Sequence, residues 1–375
     1  MGNVEANRVS RRPDVAVFAA TSGHSGVDTV IRNLLPEFAK RGIKSDLLRI
    51  RNHGPYPADL PANCRIVDLP AGHVETALLQ LVRYLRRERP RVLLSDKDSV
   101  NRVALIARGL SRRHLRCVAR LGTTVSFNLE KKRYWQAFWQ RTSIRHLYRF
   151  ADSVIVPSHG AANDLAKLMR ADPSRVTVVP NPIIHSSIYE KAQETVPALW
   201  PWSDGCPVVV AVGSLTPRKD YVTLVRAFAL LRSRRKAHLV IVGEGKDRRR
   251  IEDEIAGLGI QEDVYLAGYT SNPYPYMAKA DVFAHTSRWE GLGIVLVEAL
   301  ALGTPVVATD CPSGPAEILQ CGAHGILVPI GDEAAIATGL AQQLDQPRFP
   351  SDLQAAVGNY DVSNSASEYL KVLFG

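Results

Sequence analysis

Two glutamates and two glycines between residues 290 and 298 form a pattern that suits a phosphorylated, hydroxyl-rich ligand. Glu290 directly precedes Gly291 and Gly293 is close behind, while Glu298 lies inside the apolar run that follows. A helix start presents unpaired N–H groups and a partial positive charge, which suit phosphate. Glycine allows a ligand to approach the backbone closely, and ionised carboxylates accept hydrogen bonds from hydroxyl groups. The pattern therefore indicates a site for a polyhydroxylated phosphate compound.

Glu298 has two interpretations at this level. The run 294–302 is apolar apart from this residue and predicts a helix that ends at Gly303. A carboxylate inside such a helix costs free energy unless it is paired or faces a ligand. The alternative is a solvated residue on the outer face of an amphipathic helix, where most helical carboxylates lie.

Arg218 and Lys219 are a second candidate for phosphate chemistry. They follow a predicted strand at 207–214 and precede a predicted helix. Two adjacent cations at a helix start suit phosphate. The alternative is a pair of solvated loop cations.

The stretch 285–318, HTSRWEGLGIVLVEALALGTPVVATDCPSGPAEI, resembles the signature of the retaining glycosyltransferases of the GT4 family. Glu290 and Glu298 stand seven residues apart as E-x7-E, Ser287 precedes them, and ALALGTPVVATD follows. The part TDCPSGPAEIL resembles a bacterial branch that builds surface and lipid-linked glycans. The resemblance covers roughly residues 14–375 and is densest over 208–330. It implies the α/β GT-B fold, in which two Rossmann-like, doubly wound domains face a cleft.

The resemblance also implies roles for individual residues. Lys219 and Arg218 would bind the donor diphosphate, Glu290 would hold sugar hydroxyls, and Glu298 would hold the ribose diol. Gly122 stands where the family often has histidine, which departs from the family pattern. The predicted catalytic residues are Glu290, Lys219 and Arg218; the predicted donor-binding residues are Glu298, Gly213, Ser214, Gly243, Tyr269, Thr270, Gly291, Leu292 and Gly293; the predicted acceptor and phosphate loop residues are Gly23, Gly26 and Gly122.

The length of 375 residues predicts two domains rather than one. We expect a disordered N-terminus at 1–13, an acceptor domain at 14–184 completed by a C-terminal helix at 361–375, a linker at 185–206, and a nucleotide-sugar domain at 207–345. The five cysteines show no CxxC spacing and read as free thiols in a reducing compartment. The polar N-terminus predicts no signal peptide, and no apolar stretch reaches spanning length.

The net charge of +10 is concentrated in one segment. Residues 108–149 contain eleven Lys or Arg and one acid, so they hold the whole excess. Trp135, Phe138 and Trp139 alternate with these bases. One interpretation is a basic aromatic helix on an anionic membrane; the others are nucleic-acid binding and an ordinary core helix with solvated bases.

The predicted function is retaining transfer of a sugar from a nucleotide-sugar, expected to be UDP-linked, to a lipid-linked or polysaccharide acceptor. No DxD stands in a loop to hold Mg²⁺, and the cations and helix dipole can replace it, so we predict no cofactor and no essential metal. The expected location is cytoplasmic, peripheral on the inner face of the plasma membrane, with contact through residues 108–149 and without nucleic acid. The alternatives are a UDP-sugar epimerase of the same fold and a basic nucleic-acid-binding protein.

Overall fold

The computed structural model describes residues 12–21, 23, 25–54, 60–130, 133–169, 175–195, 200–346 and 349–375. The chain divides into two compact units. The first contains the residues up to Pro182 together with Val362–Gly375, and the second is Ile183–Asp361.

The first unit is built on a seven-stranded parallel sheet in which β1 is an interior strand. The strand order is β3-β2-β1-β4-β5-β6-β7. The strands β2 and β3 follow one another on one side of β1, and β4 to β7 follow one another on the other side, as in a doubly wound fold. The strands are β1 (Val15–Ala19), β2 (Ser45–Ile50), β3 (Cys64–Leu69), β4 (Val92–Asp96), β5 (Arg116–Arg120), β6 (Ser153–Val156) and β7 (Val176–Val178). The helices among them are α1 (Gly26–Lys40), α2 (Leu78–Glu88), α3 (Asp98–Ser111), α4 (Val125–Glu130), α5 (Tyr134–Leu147) and α6 (His159–Met169).

The second unit repeats this plan with six parallel strands in the order β10-β9-β8-β11-β12-β13. Its strands are β8 (Val208–Val212), β9 (His238–Val242), β10 (Val264–Gly268), β11 (Val282–His285), β12 (Val306–Thr309) and β13 (Ile326–Val328). Its helices are α7 (Ser186–Ala192), α8 (Tyr221–Arg232), α9 (Arg248–Leu258), α10 (Tyr274–Lys279), α11 (Ile294–Ala301), α12 (Pro315–Ile318), α13 (Glu333–Asp345) and α14 (Pro350–Ala356).

The central strands are apolar throughout because helices cover both faces of each sheet. All five residues of β1 and all five of β8 are buried. Successive side chains point to opposite faces, so Phe18 joins one apolar core and Val17 joins the other. The last helix of the chain, α15 (Val362–Phe374), packs on α1 and adds Tyr369 and Leu373 to the core on the Val17 face.

The predicted linker, 185–206, differs from the structure. Its first part forms α7, which packs against α10 within the second unit. Asn272 fixes this contact, because its side-chain amide donates to the carbonyl of Lys191 at 2.9 Å. A helix of seven residues covers only two turns, so it leaves too little periodicity to find in sequence. We expect disorder at 1–13, and residues 1–11 of this range lie outside the described part of the chain. Of the remaining two, Arg12 forms a hydrogen bond, in which its Nε donates to the carbonyl of Arg89 at 2.7 Å.

A buried ion pair joins the ends of β4 and β5, and its arginine also binds Asn181, beyond β7, and the last helix of the first unit. Arg120, at the end of β5, is 2% exposed and pairs with Asp96 at the end of β4. Its remaining N–H groups donate to Asn181 Oδ1 at 2.6 Å and to Tyr369 Oη at 2.7 Å. Burial works to raise the pKa of Asp96, and the Arg120 charge opposes it. A buried charge needs such a partner because neither group keeps its hydration.

The basic segment 108–149 is not one surface. Arg120 is buried in the ion pair just described, and Arg108 pairs with Asp152 at 3.1 Å. The exposed bases that lie on α5 are Arg141 and Arg145. The prediction that this whole segment faces a membrane is therefore too broad, because sequence position does not reveal which bases are used internally.

We predict that Asp96→Ala lowers the free energy of unfolding by about 3–5 kcal/mol, because it leaves the Arg120 guanidinium buried without its counter-charge. Asp68→Ala is the matched control: Asp68 pairs with Arg49 at 2.8 Å but its side chain is 67% exposed, so its loss is expected to cost at most about 1 kcal/mol. Chemical denaturation measures both. Equal losses in the two variants would contradict the assigned importance of the buried pair.

Candidate functional site

The loop between β8 and α8 presents the two predicted phosphate cations at the carboxyl edge of the second sheet. This edge, where the strands end and the helices begin, is where open parallel sheets bind ligands. Lys219 is 7% exposed, and its amide donates to the carbonyl of Thr216 at 2.9 Å. The Arg218 side chain is one-third exposed. The loop therefore fixes one cation in the interior and leaves the other at the surface.

Glu290 joins both cations. Lys219 Nζ donates to Glu290 Oε1 at 2.7 Å, and Arg218 Nη1 donates to Oε2 of the same carboxylate. The Glu290 side chain is 7% exposed. The three predicted catalytic residues are thus in direct contact, although 71 residues separate Lys219 from Glu290.

Four further side chains hold this carboxylate and its loop. Ser287 Oγ donates to Glu290 Oε1 at 2.8 Å, and His285 Nε2 lies 3.5 Å from the same oxygen. Thr309 Oγ1, at the end of β12, donates to the carbonyl of Ser287. The loop is fastened from the other side by Thr286, whose hydroxyl donates to the carbonyl of Lys219 at 2.9 Å. The carboxylate is therefore pre-positioned by packing and hydrogen bonds.

The electrostatics of the cluster favour an ionised glutamate. Burial by itself works to raise the pKa of Glu290, but Lys219, His285 and Arg218 outweigh it and hold that pKa well below its ordinary value. Burial lowers the pKa of His285, which favours a neutral ring beside the two cations. Burial also lowers the pKa of Lys219, and the Glu290 carboxylate opposes that shift. With both cations protonated, the cluster of Arg218, Lys219 and Glu290 carries one net positive charge.

Glu298 lies in α11, which begins after Gly293, and it is buried rather than solvated. It is 7% exposed, and Tyr274 Oη donates to its Oε1 at 3.2 Å. Burial raises the pKa of Glu298 to about 7, while the Tyr274 hydrogen bond works in the opposite direction. The interpretation of Glu298 as a solvated helix residue is wrong. Tyr274 has no spacing signal in the sequence, because only the packing of α10 on α11 brings it to Glu298.

Gly243 and Gly213 occupy a close backbone contact beside the cation loop. A Cβ on Gly243, whose φ is +146°, would lie 2.0 Å from the Gly213 carbonyl oxygen, so only glycine fits. Ser214 is exposed next to this contact. Because both residues are glycines, no side chain covers their own backbone at the ends of β8 and β9.

The other predicted donor residues are placed unequally. Tyr269 follows β10 and is 62% exposed, while the hydroxyl of Thr270 donates to the carbonyl of Asn272 at 3.3 Å. Gly291 is buried, and the Leu292 side chain belongs to the apolar core. Any ligand contact at Leu292 must therefore use its backbone.

The predicted acceptor and phosphate loop residues lie in the first unit. Gly23 and Gly26 flank the start of α1, where the Gly23 amide donates to Thr21 Oγ1 at 3.4 Å. Gly122 follows β5, and a Cβ there would come 3.1 Å from Arg120 Nη1. A histidine at 122 would press on the buried Arg120, which gives a physical reason for glycine at this position.

Within the described residues, one group of His, Cys, Asp or Glu side chains is placed to hold a metal ion: Asp204, Cys206 and His238. His238 is the first residue of β9, so this group lies at the amino edge of the sheet, opposite Lys219 and Glu290.

Two family models match consecutive parts of the chain. Residues 24–186 match "Glycosyltransferase Family 4" and residues 193–360 match "Glycosyl transferases group 1". Together they account for most of the chain. Among curated relatives, a Campylobacter jejuni N-acetylgalactosamine-N,N'-diacetylbacillosaminyl-diphospho-undecaprenol 4-alpha-N-acetylgalactosaminyltransferase is 28% identical, covering 96% of this chain and 99% of its own. A lipopolysaccharide core biosynthesis glycosyltransferase of Rhizobium meliloti is 31% identical over 44% of this chain and 49% of its own.

Solved structures share the fold. The lipopolysaccharide outer core galactosyltransferase WaaB in its apo form has a TM-score of 0.73 at 19% identity, covering 96% of this chain and 99% of its own. Anabaena HepE in complex with UDP has a TM-score of 0.75 at 18% identity, with the same coverage. The predicted fold class, GT-B with two Rossmann-like domains, is confirmed.

We predict that Glu298→Gln stabilises the protein at neutral pH. The pKa of about 7 in the folded state lies above the ordinary 4.5, so the folded protein binds the proton more tightly. Wild type therefore loses stability relative to the variant as pH rises from about 4.5 to 7, by roughly 3 kcal/mol. Calorimetric unfolding of both proteins across this range measures the difference.

Glu254→Gln is the control of opposite sign. Arg226 lowers the pKa of Glu254 by hydrogen bonding, so this substitution is expected to destabilise the protein at neutral pH. A Glu298→Gln variant that is no more stable than wild type at pH 7.5 would show that burial does not raise the pKa of Glu298 in the folded protein.

Proposed function

We propose that this chain, which belongs to the glycosyltransferases composed of a Family 4 and a group 1 domain, transfers a sugar from a nucleotide-sugar with retention of configuration. The donor is UDP-linked, and the acceptor is a lipid-linked or polysaccharide glycan of the cell surface. The observation that carries this proposal is the buried Glu290 carboxylate shared by Lys219 and Arg218 at the carboxyl edge of a parallel sheet.

The diphosphate binds at this edge. Lys219 and Arg218 provide two charge-assisted donors, and the backbone at Gly291 and Gly293 adds N–H groups beside the start of α11. As the bond between sugar and phosphate breaks, negative charge builds up on the departing diphosphate. Fixed cations aimed at that charge lower the barrier without having to reorganise. We therefore propose that the reaction needs no essential metal and no cofactor.

The two glutamates divide the recognition of the donor. Glu290 is held ionised and in place, so it accepts hydrogen bonds from the hydroxyls of the sugar. Glu298 lies further along α11 and accepts from the ribose diol. Its raised pKa means that donor binding draws it into the ionised form, because only the carboxylate offers both oxygens as acceptors. Tyr269 and Thr270 receive the base, Tyr269 with its exposed ring.

Known relatives support the choice of donor and acceptor. The structure of Anabaena HepE contains UDP, and the Campylobacter jejuni relative is named for a diphospho-undecaprenol acceptor. The experiment that tests the proposal is incubation with UDP- and GDP-sugars and an undecaprenyl-linked glycan, scored for nucleoside diphosphate release, with and without EDTA. An epimerase would convert the sugar without releasing diphosphate, and a nucleic-acid-binding protein would do neither.

We predict that Lys219→Ala weakens binding of nucleoside diphosphate by about 1–3 kcal/mol, because a charge-assisted hydrogen bond is lost. Glu290→Gln is expected to lower kcat and leave that affinity undiminished, since it removes the negative charge that the two cations share. Calorimetry gives the affinity and turnover assays give kcat. Lys279→Ala, at an exposed lysine that ends α10, is the control. An affinity that falls as far as kcat in Glu290→Gln would reassign Glu290 to nucleotide binding.

We further propose that α5 attaches the protein to the inner face of the plasma membrane from the cytoplasm. Four aromatic side chains in its first half are more than half exposed: Tyr134, Trp135, Phe138 and Trp139. Tyr134 and Phe138 form one stripe with Arg141 and Arg145, because residues three and four apart share a helix face. Within the described residues, no helix is both long and apolar enough to cross a bilayer.

The division of α5 into an aromatic half and a basic half suits an interfacial helix. The rings enter the headgroup region, and each base near an anionic leaflet contributes about 1 kcal/mol. Gln140 and Ile144 face the protein and are buried, so the exposed rings are not required for the core. Nucleic acid would use the same bases but does not need an apolar stripe beside them.

We predict that the protein co-sediments with vesicles containing phosphatidylglycerol, less so at high salt, and not with neutral vesicles. Trp135/Trp139→Ser is expected to reduce this binding at least tenfold, since two inserted rings are removed. Leu79/Leu110→Ser is the control, because both leucines are exposed on other helices of the first unit, at 61% and 49%. Binding that survives loss of both tryptophans, or that ignores lipid charge, would contradict the membrane proposal.

A further inference from the structure

A cluster of three potential metal ligands lies at the amino edge of the second sheet. Asp204 and Cys206 belong to the segment just before β8, and His238 begins β9. Their ligand atoms all lie within 4.8 Å of one another. His238 Nε2 is 3.1 Å from each carboxylate oxygen of Asp204. No role in sugar transfer uses these residues, because Lys219 and Glu290 lie at the opposite edge.

The surroundings of His238 resemble those of a metal-bound imidazole. Its ring is stacked on Trp202, with centroids 4.0 Å apart and planes 4° from parallel, so the plane of the ring is fixed while rotation within that plane remains possible. Nδ1 is buried and lacks a hydrogen-bond partner within the described residues, and Asp263 Oδ1 lies 3.7 Å from it. A ligating histidine commonly donates its second N–H to a carboxylate. A small rotation of the ring on metal binding would close this contact.

We propose that Asp204, Cys206 and His238 bind a zinc ion that fastens the segment 200–206 to the start of β9. A thiolate, an imidazole and a carboxylate are a ligand set that favours Zn²⁺ over Mg²⁺ or Ca²⁺. The ionised thiol and carboxylate together balance the charge of the ion, and water completes a tetrahedral site. Binding displaces the Cys206 thiol proton to solvent.

The role of this ion is structural. Segment 200–206 has no helix or strand of its own, so its position depends on side-chain contacts to the sheet. Trp202 supplies one of these by stacking on His238 of β9. Its indole N–H also donates to the carbonyl of Glu262, just before β10, at 2.8 Å. A metal bridge from Asp204 and Cys206 to His238 would hold the remainder. Zinc binding at this edge is independent of the transferase reaction.

The test uses the full chain, stripped with a chelator and titrated with Zn²⁺ and separately with Co²⁺. We expect one tightly held zinc per chain and a rise in Tm of a few degrees at a free concentration ~100 times Kd. Cobalt is expected to show the near-ultraviolet absorption of a thiolate ligand. Zinc binding to His238 should also change the fluorescence of the stacked Trp202.

Cys206→Ser and Asp204→Ala are expected to lose the tight zinc and the Tm rise, and Cys206→Ser to lose the cobalt–thiolate absorption. Asp204 is half-exposed, so its variant is expected to fold. Cys321→Ser, which removes an exposed cysteine elsewhere in the unit, is expected to behave as wild type. A zinc-induced Tm rise that persists in both ligand variants, or cobalt bound without thiolate absorption, would overturn the proposal and leave Asp204 and His238 as a simple hydrogen-bonded pair.

Discussion

The Glu290 carboxylate, which accepts hydrogen bonds from Lys219 and Arg218 at once, is the interaction on which the second unit's site depends. Neither Lys219 nor Glu290 retains its hydration, and removal of one partner would leave the other as an uncompensated buried charge. The pair therefore fixes the loop after β8 relative to the loop after β11. Because one carboxylate offsets two cations, a net positive charge remains for an anionic ligand.

The parallel sheet is what makes this meeting possible. Strands that run in the same direction end at the same edge, so residues far apart in sequence gather there. Lys219 follows β8, Glu290 follows β11 and Thr309 ends β12. The apolar strands form the buried layer, and polar groups appear only where each strand leaves it. The polar side chains that could bind a ligand therefore lie at one edge of the sheet. The two faces of the sheet are covered by apolar side chains of the core.

The two units use buried charge for different purposes. In the first, Arg120 is satisfied by Asp96, Asn181 and Tyr369, so it serves the fold and leaves little for a ligand. In the second, Glu298 is buried with one weak donor, Tyr274, and its pKa rises to about 7. A carboxyl kept in a state that costs stability is typical of a site shaped for binding.

Sequence alone determined the repeated strand and helix pattern, the E-x7-E spacing, and the presence of two adjacent cations, Arg218 and Lys219, just before a helix. These follow from local periodicity and from a resemblance carried by contiguous residues. Tertiary structure decided which charged side chains are exposed. Arg120 lies within the basic segment but is buried in an ion pair. Asp204, Cys206 and His238 come together only because β8 and β9 pair. It also decided that 185–206 contains α7, since two helical turns are too short to give a periodic signal. Local patterns specify elements, but pairwise electrostatics depends on distances that only the folded chain sets.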